Sequence, residues 1–164
     1  MSEKKEHEIF DSAEELNRKA KELYDEGNID GIRQLAKENG LDPEDVEDYL
    51  KYPEWDLATP TTFAIGKIEK ECEGLEVFGA FETWKGYLLE AIINDPEFLA
   101  AVGKRDKTLI DAFAAVLKEE AKSRKAIDKR ICKAAGIPEN VQMSTRTKKD
   151  KIKILREYYM EGKE

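Results

Sequence analysis

The sequence predicts an all-α protein, a compact bundle of about eight to nine short helices with an acidic N-terminal helical subdomain. Three observations predict it. Apolar residues recur at a spacing near 3.6 in segment after segment. Capping residues open these segments, and glycine or proline closes them. No two segments make a convincing strand pair.

The elements follow in order. Asp11 or Ser12 can cap a first helix, with Glu14 or Glu15 closing a capping box. Leu16, Ala20, Leu23 and Tyr24 share its inner face until Gly27 stops it. Asn28 caps a second helix with Ile29, Ile32, Leu35 and Ala36 inward, ended by Gly40. Asp42 caps a third, with Pro43 at its first position, and Leu41 and Val46 are spaced as a hydrophobic staple. It ends near Tyr52-Pro53. Thr59-Pro60 opens a fourth, with Phe63, Ile65, Ile68 and Cys72 apolar, stopped at Gly74. A fifth runs from about Val77 to Asn94 through Phe81, Trp84, Leu88 and Ile92. Asp95-Pro96 starts a short sixth that ends at Gly103, and Thr108 starts the seventh, striped by Leu109, Phe113, Val116 and Leu117. Asp128 caps an eighth, closed by Gly136 and Pro138. "NVQMSTRTKKD" has no helical stripe and is expected to be a loop or one short strand. A final helix carries Ile152, Leu155 and Tyr159 on one face.

The aromatic residues on these stripes belong to the core. Trp55 lies outside any stripe, in the loop "YPEWDLATP". It is expected to plug a joint between subdomains, the other reading being an exposed binding hot spot. That loop divides the chain into an acidic N-terminal subdomain, residues 1–57, and a main helical domain, residues 58–164, with a basic C-terminal third.

Of the 164 residues, 40 % are apolar and 39 % charged, enough for a core under a densely charged surface. The net charge of −8 hides a gradient. Residues 1–60 carry 8 Lys/Arg against 18 Asp/Glu, residues 61–120 carry 7 against 12, and residues 121–164 carry 13 against 6. Cys72 and Cys132 sit on apolar stripes and read as buried thiols in a reducing cytoplasm. The one histidine, His7, lies in a polar N-terminal tail, so a Cys/His metal site has little to build on. There is no phosphate-cradling glycine motif, no nucleophile paired with a base, no expected cofactor and no apolar run long enough to cross a membrane. No catalytic or metal-binding residue is assigned, and the chain is expected not to be an enzyme. The sequence sets no oligomeric state.

Residues 28–51 carry the spacing of a helix-turn-helix corner, with Ala36, Gly40 and Val46 in "LAKENGLDPEDVEDYL". The second helix of that corner bears Asp42, Glu44, Asp45, Glu47 and Asp48, which would repel a DNA groove. Two readings stay open. Either this is a solvated helical corner whose acidic start suits its dipole, or it is a phosphate-like surface aimed at a protein that binds nucleic acid. With Trp55 these carboxylates form the candidate protein-binding surface. The candidate nucleic-acid-binding surface is basic: Arg124, Lys125, Lys129, Arg130, Lys133, Arg146, Lys148, Lys149, Lys151, Lys153 and Arg156. These cations suit an RNA or DNA backbone, or pack against the chain's own acidic half.

Between residues 95 and 160 the order "DPEFLAAV", "KTLIDAFAAVLKEEAKS", "IDKRICKAA" and "EYYME" resembles the PcfK-like proteins of conjugative elements and gut Firmicutes prophages. The front half, "DSAEELNRKAKEL" through "LAKENGLDPEDVEDYL", is similar to small phage-borne inhibitors from the same bacteria. Some relatives of that group are type II-A anti-CRISPRs. The resemblance therefore implies a stoichiometric inhibitor of Cas9 or its guide-RNA complex in the bacterial cytoplasm, with no catalytic residues. The acidic helix would block a basic channel of Cas9, while the basic end touches guide RNA or displaced DNA. The competing expectation is a nucleic-acid-binding regulator or conjugation accessory protein of a mobile element.

Overall fold

The structure is a computed structural model, and it describes residues 8–161. His7 lies outside the described residues. Nine helices are present among them: α1 Ala13–Asp25, α2 Ile29–Glu38, α3 Pro43–Lys51, α4 Pro60–Cys72, α5 Ala80–Ile93, α6 Pro96–Val102, α7 Leu109–Lys122, α8 Lys129–Ala135 and α9 Lys148–Met160. The all-α expectation therefore holds for the body of the molecule.

One expectation fails. Arg124–Ala126 (β1) and Gln142–Ser144 (β2) form a two-stranded antiparallel ribbon that brackets α8. Arg124 pairs with Ser144, Lys125 with Met143 and Ala126 with Gln142. Three-residue strands are too short to show a period of two, and these two are not joined by a hairpin turn, so no local signal marks them. Side chains at the base of the ribbon hold it. Ser123 and Ser144 share a hydroxyl hydrogen bond of 3.1 Å, and the Thr145 hydroxyl donates to the Ser123 carbonyl at 2.8 Å.

The helices begin where the side chains can satisfy their free N–H groups. Ser12, Asn28, Asp42, Thr59, Asp95, Thr108, Asp128 and Thr147 each accept from a backbone N–H of the helix they open. Ser12 is the cap of α1, and the predicted box does not close: the Glu15 carboxylate accepts from the N–H of Asp11, one residue before the cap, at 2.8 Å. Two lysines do the matching work at helix ends. Lys67 of α4 donates to the carbonyls of Val102, Lys104 and Lys107 at 2.8, 2.6 and 2.7 Å, capping the end of α6 and the loop after it. Lys107 is itself buried and donates to the carbonyls of Tyr158 and Glu161, capping α9. A cation at a helix C-terminus satisfies carbonyls and opposes the dipole together.

Buried apolar side chains form two clusters. One joins Phe10, Leu16, Ile32, Leu35, Val46, Tyr49, Leu57 and Phe63; the other joins Ala64, Ile68, Trp84, Leu88, Phe98, Leu109, Val116, Leu155 and Tyr159. Each fully buried large side chain contributes roughly 1.5–3 kcal/mol. The clusters meet along α4, which supplies Phe63 to the first and Ala64 and Ile68 to the second. The α2–α3 corner is seated on that helix. Gly40, with φ of +68°, lies so close to Gly66 that a Cβ on Gly40 would be 2.4 Å from the Gly66 carbonyl oxygen. A Cβ on Gly66 would be 2.3 Å from the Asn39 carbonyl oxygen.

Three residues expected to face inward are instead exposed: Tyr24, Ile29 and Leu117. Ile29 is the first residue of α2, before the helix meets its neighbours. Tyr24 sits edge-on to Tyr49 at the rim of the first cluster. Leu117 lines, with Val77, Phe81 and Ile110, an open apolar groove of about 260 Å³.

Candidate functional site

The amphipathic spacing of α3 sends Val46 and Tyr49 into the core and leaves Glu44, Glu47 and Asp48 outside, with Asp45 half-buried. The five carboxylates do different work. Asp42 is spent as the cap of the helix, accepting from the Glu44 N–H at 2.9 Å. Glu47 pairs with Arg33 on α2. Glu44, Asp45 and Asp48 have no ion pair among the described residues, and the charges of Glu44 and Asp48 project into solvent.

Trp55 is not a plug. It is 60 % exposed and stacks on Tyr52, with ring centroids 4.6 Å apart and planes 29° from parallel. The turn that places it is closed by the Trp55 N–H donating to the Tyr52 carbonyl at 2.9 Å. The joint that Trp55 was expected to fill is occupied by Leu57 and Ala58, which are buried. Asn17 of α1 locks them there. Its amide donates to the Ala58 carbonyl at 2.8 Å and its side-chain oxygen accepts from the Ala58 N–H at 2.9 Å. With the joint filled from the backbone side, the indole turns outward beside Glu54 and Asp56, both exposed and without an ion pair among the described residues.

The result is a face that carries negative charge and flat aromatic area together. A guanidinium or ammonium group meeting it finds carboxylates to pair with and an indole face to lie on. Tyr52, Glu54 and Asp56 were not singled out as site residues. The Tyr52-to-Trp55 spacing in a polar loop was the available signal.

The basic residues are not one surface. Six of the eleven are engaged with carboxylates of their own chain. Arg146 pairs with Glu119 at 2.8 Å, Lys148 with Glu90 at 2.9 Å, and Arg156 with Asp95 at 2.9 Å. Lys151 stands 3.1 Å from Glu120, an ion pair whose angle does not make a hydrogen bond. Lys153 pairs with Glu157 at 3.8 Å, and Arg130 binds Asp128 through both oxygens. Three of these pairs tie α9 to other elements, Lys148 to α5, Lys151 to α7 and Arg156 to the cap of α6, so its partners there come from the middle of the chain and not from the acidic N-terminal residues. The Arg156 hydrogen bond, followed by that from the Phe98 N–H, holds the Asp95 carboxyl below its ordinary value. Arg124, Lys125, Lys129, Lys133 and Lys149 are exposed and have no ion pair among the described residues.

No protein-family model, curated protein or solved structure matches the chain at a significant level. Among the described residues, no group of three or more His, Cys, Asp or Glu is placed to hold a metal ion, and no helix is long and apolar enough to cross a membrane. Cys132 is buried and Cys72 half-buried, both as free thiols.

Proposed function

We propose that this chain is a non-enzymatic protein that binds a nucleic-acid-handling protein through the outer face of α3 and the Tyr52–Trp55 stack. In its specific form, the partner is Cas9 or its guide-RNA complex in the bacterial cytoplasm, and binding blocks DNA binding or cleavage. One observation carries the reading: three carboxylates with no ion pair among the described residues stand on the helix that leads directly into an exposed, stacked tryptophan. A merely solvated corner accounts for the charges but not for a large aromatic surface left in water beside them. A channel built to hold phosphates and bases offers cations and flat apolar surface, the complement of both features. Cas9 is the first candidate because residues 95–160 resemble a group with Cas9 inhibitors among its relatives.

The reading of a nucleic-acid-binding accessory protein ranks second. It draws on the basic third of the chain, where six of the eleven named cations already pair with carboxylates of the same chain.

A Cas9 cleavage assay tests the first reading. The purified protein should stop cleavage near equimolar ratio for at least one of several type II-A orthologues. Undiminished cleavage by all of them at a large excess would refute the Cas9 form of the proposal.

A further inference from the structure

The β1–α8–β2 excursion differs from the rest of the molecule in where its charge goes. Residues 124–144 carry five Lys/Arg and two Asp/Glu. One of those acids, Asp128, is consumed by Arg130 and by capping α8. Arg124, Lys125, Lys129 and Lys133 are left with no counter-charge among the described residues, in a chain that pairs most of its other cations in the C-terminal third internally. Both strands are open to solvent on nearly every residue, and α8 buries only Cys132. Ile131 and Met143 are exposed as well, at 61 % and 63 %.

The register sorts these groups. Alternation along a strand puts Lys125 and its partner Met143 on one face of the ribbon, and Arg124, Ser144 and Gln142 on the other. On α8, Lys129 and Lys133 are one turn apart and share a side. Desolvating four uncompensated cations is favourable only against a dense array of negative charge. Exposed Met143, on the Lys125 face of the ribbon, adds apolar surface for the sugars.

We propose that the β1–α8–β2 ribbon is a second binding surface, for the backbone of duplex DNA, contacted without reading sequence. A two-stranded ribbon is one of the elements a major groove admits, and lysines reach phosphates from it as point charges. The acidic N-terminal residues oppose the approach of DNA elsewhere, so the duplex meets this end of the molecule alone. This surface is separate from the acidic face, and neither proposal needs the other.

The test is fluorescence anisotropy of a labelled 20-base-pair duplex with the full chain and no other protein. The wild type should bind at about 50 mM salt and weaken as salt rises, with a log–log slope approaching −0.9 for each phosphate engaged. The combined variant Arg124→Gln, Lys125→Gln, Lys129→Gln, Lys133→Gln should lose at least tenfold in affinity and most of the slope. Lys148→Gln with Lys153→Gln, which removes cations already paired, should stay within twofold of wild type. Circular dichroism checks that the quadruple variant folds; if it does not, Lys125→Gln with Lys133→Gln should show the same loss at a few-fold. Absence of binding by the wild type at 50 mM salt overturns the proposal, as does a ribbon variant that binds like wild type. So does tighter binding of single-stranded RNA, or displacement of the duplex by polyglutamate at equal charge, which would point to an acidic protein partner.

Discussion

Gly40 and Gly66 each occupy the space that the other's side chain would need, so the α2–α3 corner and α4 touch backbone to backbone. The helix-turn-helix spacing of Ala36, Gly40 and Val46 is thus explained by packing within the chain. The N–H of Gly40 donates to the Lys37 carbonyl and that of Leu41 to the Ala36 carbonyl, the paired bonds of a left-handed helix stop. Gly40 serves twice, by its positive φ and by its missing Cβ.

Gly66→Ala gives an unusual sign. Alanine in place of a helical glycine ordinarily stabilises by about 1 kcal/mol. Here the new methyl would be 2.3 Å from a backbone oxygen that cannot swing aside. The variant should be destabilised by about 1–3 kcal/mol, as for an overpacked core. Gly86→Ala, also helical and with nothing within 4 Å of its Cβ position, should be neutral or stabilising. Urea melts of the pair check both.

Lys107→Met keeps the aliphatic stem and removes the ammonium that the ends of α9 depend on. These bonds are only part-buried, so losing the donor should cost about 1 kcal/mol. Thermal melting should fall, and hydrogen exchange should rise most in the last turn of α9.

Glu71 supplies a pH test. Burial pushes its carboxyl above the ordinary value, against the pull of Lys67 and of the Leu109 N–H. One of its oxygens has no hydrogen-bond partner among the described residues. A carboxyl raised in this way binds its proton more tightly folded than unfolded. Its cost is therefore absent below the unfolded value near 4.5 and grows as pH rises through the folded one. Glu71→Gln should be more stable than wild type at pH 8, with the gap closing as pH falls below 4.5. Denaturation at the two pH values measures it.

Trp55→Ala should separate binding from folding. The indole is mostly in water, so stability should change by no more than about 0.5 kcal/mol. Affinity for the partner should fall by roughly 2 kcal/mol or more if the stack is an anchor.

Much of this fold was legible in the residue order because caps and stops are local chemistry. Asn28, Asp42, Thr59, Asp95, Thr108 and Thr147 open their helices as their side chains require. The misses depend on contacts distant in sequence. Arg124 and Ser144 pair across twenty residues, and nothing near either one signals it. The outward turn of Trp55 depends on Asn17 holding Ala58, 41 residues away. The charge of the basic third was visible, but its division was not, because Arg156 meets Asp95 and Lys148 meets Glu90 only after α9 has packed. The exposed side of α3 was readable from period alone, since Val46 and Tyr49 fix which way the helix turns.

The most direct test of the acidic-face account is the affinity of the full chain for the guide-loaded Cas9 of a susceptible host, compared with Glu44→Gln, Asp45→Asn, Asp48→Asn. The account predicts tight, salt-sensitive binding by the wild type and a loss of at least tenfold in the triple variant, with a melting temperature lowered by only a few degrees through the lost first-turn charges of α3. Equal affinity of the two proteins, or no binding by either at low salt, would contradict it.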